Sequence, residues 1–173
     1  MPSRRFHRLA EELGIGGDLV VGRTFVEYRE PDHLVVAGTD ADGRKHLLAP
    51  DAAAAWHGMQ ASAVASGVSL FIVSAFRSIE RQAEIVRRKL SSGQSIAQVL
   101  SVCAPPGCSE HHTGRAIDIG TQGCALLVPE FEETAAFAWL TGKASTYGFH
   151  LSYPRGNLQG YVYEPWHWCY QGA

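Results

Sequence analysis

No apolar run in these 173 residues approaches the roughly 20 that a helix needs to cross a bilayer, so no transmembrane segment is expected. A basic block is missing as well: 15 Lys and Arg stand against 17 Asp and Glu, a formal net charge of -2. Phosphate polyanions are held by clustered cations, and nucleic acid is therefore not an expected partner. Arg4 and Arg5 are not followed by the apolar stretch of a secretory leader. Internal repeats and low-complexity tracts are absent apart from Ala52 to Ala55. None of the four cysteines, Cys103, Cys108, Cys124 and Cys169, forms a C-x-x-C pair, so spacing gives no support to a tetrathiolate zinc site. Their even number leaves two disulfides or four free thiols open.

What is present is a chain of 46% hydrophobic composition, long enough for one core and short for two, which predicts a single domain over residues 1–173. Leu34 to Ala37 and Lys45 to Leu48 flank the turn-rich Thr39-Asp-Ala-Asp-Gly43 and predict a hairpin. Pro50 and Asp51 open a helix through the alanine run, with Gly67 as its stop. Val68 to Ser74 is a short β-rich apolar run of the kind expected for a central strand buried on both faces. Ser78 then caps a helix with Ile79, Ala83, Val86 and Leu90 at helical spacing. Arg77 falls at this strand-to-helix junction, where functional groups tend to sit. A further helix is expected from Phe131 to about Tyr147, broken near Gly142. A strand over Phe149 to Tyr153 and a last strand from near Gly160 follow. The fold class is α+β, a mainly antiparallel central sheet flanked by helices.

Two segments carry groups able to do chemistry. In Ser109-Glu-His-His-Thr-Gly-Arg-Ala-Ile-Asp118, an extended Ala116 to Ile119 sends Ile117 and Ile119 to one face and Ala116 and Asp118 to the other. Gly114 permits the sharp turn that brings His111 back toward Asp118. An imidazole and a carboxylate suit zinc, which takes nitrogen and oxygen ligands. In Tyr163-Glu-Pro-Trp-His-Trp-Cys169, Glu164 and His167 would face opposite ways on a regular strand, and Pro165 gives a reason for a kink. A catalytic zinc usually has three protein ligands and an open position, so His167 completes the count and Glu164 is left as general base. Alone, the first segment reads as well as a polar turn before a buried strand, and the second as an aromatic strand with a surface glutamate. His112 is read as a surface or supporting residue and His150 as a packed or exposed one. Cys108 and Cys169, each within three residues of a proposed ligand, are the first pair to test for bridging.

Three motifs together resemble the VanY-like D-alanyl-D-alanine carboxypeptidases: S-x-H-x-x-G-x-A-x-D at Ser109 to Asp118, E-P-W-H at Glu164 to His167, and Ser-Ala-Phe-Arg-Ser at 74–78 with Gln82. Tyr147-Gly-Phe-His-Leu-Ser-Tyr-Pro154 is similar to that subfamily too, and the matches run from about residue 68 to 170. The group also contains D-Ala-D-Ala dipeptidases, lysostaphin-type enzymes and the sonic hedgehog signalling domain. The resemblance implies one zinc ion per chain on His111, Asp118 and His167, with Glu164 as base. It implies that Arg77 steadies the substrate carbonyl and its developing oxyanion, and that Ser109 and Gln82 contact substrate. The implied reaction removes the C-terminal D-alanine from a peptidoglycan stem peptide or precursor, placing the protein at the bacterial cell envelope or periplasm, with cytoplasmic action on muropeptides as the alternative. Rival readings are a D-Ala-D-Ala dipeptidase, an L,D-carboxypeptidase or an endopeptidase. From other classes come a non-catalytic zinc-containing peptide-binding module and a hydrolase using Ser109 or Cys108 as nucleophile.

Overall fold

The computed structural model describes residues 4–16 and 25–172. In chain order it contains α1 (Arg4–Glu12), β1 (Val35–Thr39), β2 (Lys45–Leu48), α2 (Pro50–Ala65), β3 (Phe71–Ser74), α3 (Ile79–Ser91) and α4 (Ile96–Val102). There follow β4 (Ala116–Gly120), α5 (Ala135–Lys143), β5 (Phe149–Leu151) and β6 (His167–Tyr170). β1 and β2 form the predicted hairpin, and the other four strands form an antiparallel sheet in the order β3-β4-β6-β5. The architecture is α+β, with no helix among the described residues long and apolar enough to cross a membrane.

The sheet has two unlike faces, and strand alternation assigns them. Ile117, Ile119 and Trp168 point into the main core, where they meet Leu48, Trp56, Met59 and Phe149. α2 closes that core with Ala52, Trp56, Met59 and Ala63, spaced four, three and four apart along one helical stripe. Register then fixes the opposite face: Ser74 pairs with Asp118, and Asp118 pairs with His167. One row of residues thus runs across β3, β4 and β6.

Several expectations are corrected. β3 lies at an edge rather than in the centre; β4 and β6 are the two inner strands, and all five residues of β4 are buried. The apolar run at 68–74 reflects packing, since Leu70 and Ile72 are buried. The free edge of β3 is covered by the hairpin: Arg44 Nη2 donates to Val73 O at 3.1 Å, and just beyond the strand Phe76 N donates to Leu47 O at 3.0 Å. The helix expected over Phe131 to Tyr147 is three pieces, a 3₁₀ turn at Pro129–Glu133, α5, and a 3₁₀ turn at Ala144–Tyr147. Thr134 makes the first break because its side chain accepts from Phe137 N and caps α5. The last strand begins at His167, not near Gly160, because Pro165 and Trp166 form a turn closed by His167 N donating to Glu164 O at 3.0 Å.

Candidate active site and metal centre

His111 sits in a 3₁₀ turn, Glu110–Thr113, that ends on Gly114 in the left-handed region at φ +66. A Cβ at Gly114 would meet Leu34 Cδ2 at 2.7 Å and Ala49 N at 3.1 Å, so only glycine lets the chain reverse against the hairpin here. The turn delivers His111 to the face of β4 from which Asp118 projects. The Pro165-Trp166 turn brings Glu164 and His167 to the same place from the other side.

His111 Nε2 lies 3.2 Å from Asp118 Oδ2, and His167 Nδ1 lies 3.0 Å from Asp118 Oδ1. One donor atom from each of the three residues falls within 4.8 Å of the others. The three are 4%, 5% and 2% exposed, so the cluster sits at the floor of a cavity with little contact to bulk water. Two ligands of a tetrahedral ion at roughly 2.0–2.2 Å stand roughly 3.3–3.6 Å apart, and three donors within 4.8 Å of one another reach that arrangement with small side-chain shifts. The outer ring nitrogens are also spoken for. His111 Nδ1 donates to Ala75 O at 2.7 Å, which leaves the Nε2 lone pair facing Asp118. Electrostatics agree with a cation site. Burial works against charge on His167, yet hydrogen bonds to Asp118 and Glu110 push its pKa up to about 10. Burial likewise opposes ionisation of Asp118, but His111 and His167 hold its carboxyl well below the usual range. Two nitrogens and a carboxylate converging where positive charge is favoured fit zinc.

Glu164 stands beside this cluster, its Oε2 3.9 Å from His167 Nδ1 and its side chain 16% exposed. Burial pushes its carboxyl up to about 7, His167 pulling it down and Asp118 raising it. Proton exchange near neutral pH is what a general base requires.

Arg77 is held at both ends. Its backbone N donates to His111 O at 3.1 Å, and its carbonyl accepts from His112 Nδ1 at 2.6 Å. Its guanidinium donates through Nη1 to Gln82 Oε1 at 2.9 Å and through Nη2 to Ser74 Oγ at 3.2 Å. A planar group fixed by two bonds still has donors left for a ligand. Gln82 is 1% exposed and spends its amide nitrogen on Ala104 O at 2.7 Å and Cys103 Sγ at 3.0 Å. It lines the cavity chiefly as the brace of Arg77. Ser109 is buried, and its side chain makes no capping bond to the turn it precedes. All seven residues singled out from sequence, Arg77, Gln82, Ser109, His111, Asp118, Glu164 and His167, line one cavity of about 350 Å³.

From sequence, three neighbours, Ser74, Tyr153 and Glu110, have no assigned role, and a fourth, His112, stands between surface and support. Ser74 anchors Arg77, and Tyr153 stacks on His167 with ring centroids 4.6 Å apart. His112 is wholly buried and clamped between Arg77 O and Gly107 N, and burial lowers its pKa to about 4, so of its two expected places it takes the supporting one and not the surface. Glu110 lies 3.0 Å from His167 Nε2. Its only signal was adjacency to His111, which a solvated turn glutamate shares. His150 is exposed, and the four cysteines are free thiols, Cys108 and Cys169 included.

Residues 45–173 match the family model of VanY, D-alanyl-D-alanine carboxypeptidase. This chain belongs to the VanY D-alanyl-D-alanine carboxypeptidase family. The bifunctional D-Ala-D-Ala dipeptidase and carboxypeptidase VanXYC of Enterococcus gallinarum is 33% identical over 151 residues, covering 83% of this chain and 76% of that protein. The solved LdcB LD-carboxypeptidase superposes with a TM-score of 0.75 at 33% identity, over 83% of this chain and 70% of the other. The D,D-pentapeptidase VanY, solved with Zn(II), gives a TM-score of 0.64 at 25% identity, over 86% and 87%. As a VanY-family member the chain is a zinc-peptidase-type enzyme, and the His111, Asp118 and His167 cluster is its candidate metal centre.

Proposed function

We propose that this VanY-family chain is a zinc carboxypeptidase that removes the C-terminal D-alanine from peptidoglycan stem peptides or their precursors, acting at the bacterial cell envelope. The observation that carries the reading is Glu164 beside three convergent donors, His111 Nε2, the Asp118 carboxylate and His167 Nδ1, in one cavity that Arg77 also lines. Those three residues would hold the ion, which when bound supplies Lewis acidity toward the scissile carbonyl and acidifies water.

The chain's own groups account for the rest. Glu164 accepts a proton from water at its carboxylate, and the water oxygen forms a bond to the amide carbonyl carbon. Arg77, braced by Gln82 and Ser74, donates to the carbonyl oxygen as it gains negative charge; a fixed donor costs no reorganisation at that moment. The C–N bond then breaks, and Glu164 returns the proton to the leaving amine, releasing D-alanine. Ser109, with its hydroxyl free of a capping bond, is assigned a substrate contact.

VanXYC supports the D,D reading through its activity on D-Ala-D-Ala. A second reading, an L,D-carboxypeptidase acting on a tetrapeptide stem, draws on the likeness to LdcB, which exceeds that to VanY in both identity and superposition. Incubating the zinc-loaded protein with a pentapeptide ending in D-Ala-D-Ala and with the corresponding tetrapeptide separates the two by mass. Loss of one alanine from the pentapeptide supports the D,D assignment, loss from the tetrapeptide alone supports the L,D one, and release of the dipeptide contradicts both.

A further inference from the structure

Glu110 takes no part in the chemistry described above, yet it is bound to the site twice. In sequence it precedes His111, and in space its Oε2 lies 3.0 Å from His167 Nε2. The same oxygen accepts from Ser152 Oγ at 2.6 Å, so the carboxylate is steered by a residue just beyond β5. Its side chain is 14% exposed, and Tyr153 covers the adjoining face of the His167 ring.

We propose that Glu110 is a positioning residue that sets the ligand strength of His167. The inference rests on the reading of His167 as a metal ligand through Nδ1. An ionised carboxylate only accepts, so contact with Glu110 holds a hydrogen on Nε2, and Nδ1, 3.0 and 3.9 Å from Asp118 and Glu164, is the nitrogen that would meet the ion in place of its hydrogen bond to Asp118. The bond also pushes electron density into the ring and makes Nδ1 a better donor. His111 is built differently: its outer nitrogen meets a neutral carbonyl, Ala75 O, at 2.7 Å. The two imidazoles are therefore unequal, and His167 is the ligand whose strength depends on a side chain open to substitution.

The test is zinc affinity, measured by competition with a chromophoric chelator on the full chain, for wild type, Glu110→Ala, Glu110→Gln and His167→Ala. Loss of such a supporting partner typically weakens metal binding by about 10–100-fold, the effect expected for Glu110→Ala. Glu110→Gln keeps an oxygen acceptor but loses the charge, so its loss should be smaller than that of Ala yet clear of wild type. Circular dichroism confirms folding, and because Gln matches Glu in shape, that variant decides the matter if Ala does not fold. Wild-type zinc affinity in folded Glu110→Gln and Glu110→Ala overturns the proposal, provided His167→Ala has lost zinc. Zinc affinity unchanged in His167→Ala overturns the metal-site reading itself, which keeps the two failures apart.

Discussion

The two faces of the four-stranded sheet differ in almost everything except backbone. One carries Ile117, Ile119 and Trp168 into the main core; the other carries Ser74, Asp118 and His167 in a row toward the cavity. Since neighbours on a strand point to opposite sides, His167 and Trp168 belong to separate functions although they are adjacent in sequence. Stability is concentrated on the first face and chemistry on the second. The row on the second face is tied by hydrogen bonds, Ser74 accepting from Arg77 and Asp118 paired with His167, whereas part of the cavity lining lies outside the regular elements, as at Tyr161 and Glu164. Two of the three proposed ligands, Asp118 and His167, therefore belong to the sheet, whereas His111 and the base Glu164 come from segments beside it.

Four substitutions test this contrast. The largest effect is expected from His167→Ala, which removes a donor on the site face: bound zinc measured by inductively coupled plasma spectrometry should fall toward zero and turnover with it. Arg77→Lys comes next, because a lysine cannot bridge Gln82 and Ser74 while presenting a planar donor. Losing a preorganised oxyanion donor costs about 10²–10³ in kcat, and steady-state kinetics should show that loss with zinc content intact. Ile117→Ala, on the opposite face, should reverse the pattern. A buried Ile→Ala change costs about 2–5 kcal/mol in stability, read from denaturant midpoints, while the folded fraction keeps its zinc and its kcat. The smallest effect is expected from Ser109→Ala, where losing one hydrogen bond to substrate, about 0.5–1.5 kcal/mol, should appear in KM more than in kcat.

How much of this could be read from the chain depends on the range of the interaction. The hairpin, the helix after Pro50 and the cap at Ser78 are local, and the structure contains them as expected. Asp118 and its isoleucine neighbours were legible because strand alternation is local too. Strand order was not. Nothing in Val68 to Ser74 says that its far side faces Arg44 and Leu47 rather than another strand. Pro165 announced a kink but not its form, a closed turn that delays β6 until His167. Glu110 and Ser74 remained hidden, and His112 stayed undecided between surface and support, because each acts through a partner at least 35 residues away or through a brace that only the folded chain creates.

The central claim is that Glu164 works beside the metal centre without holding it. The most direct measurement is zinc stoichiometry and pentapeptide turnover taken together on Glu164→Gln. The account predicts one zinc per chain, as in wild type, with kcat lower by about 10²–10⁴, the range a general base contributes. Turnover at the wild-type rate would contradict the assignment of Glu164 as base, and loss of zinc would contradict its place outside the ligand set.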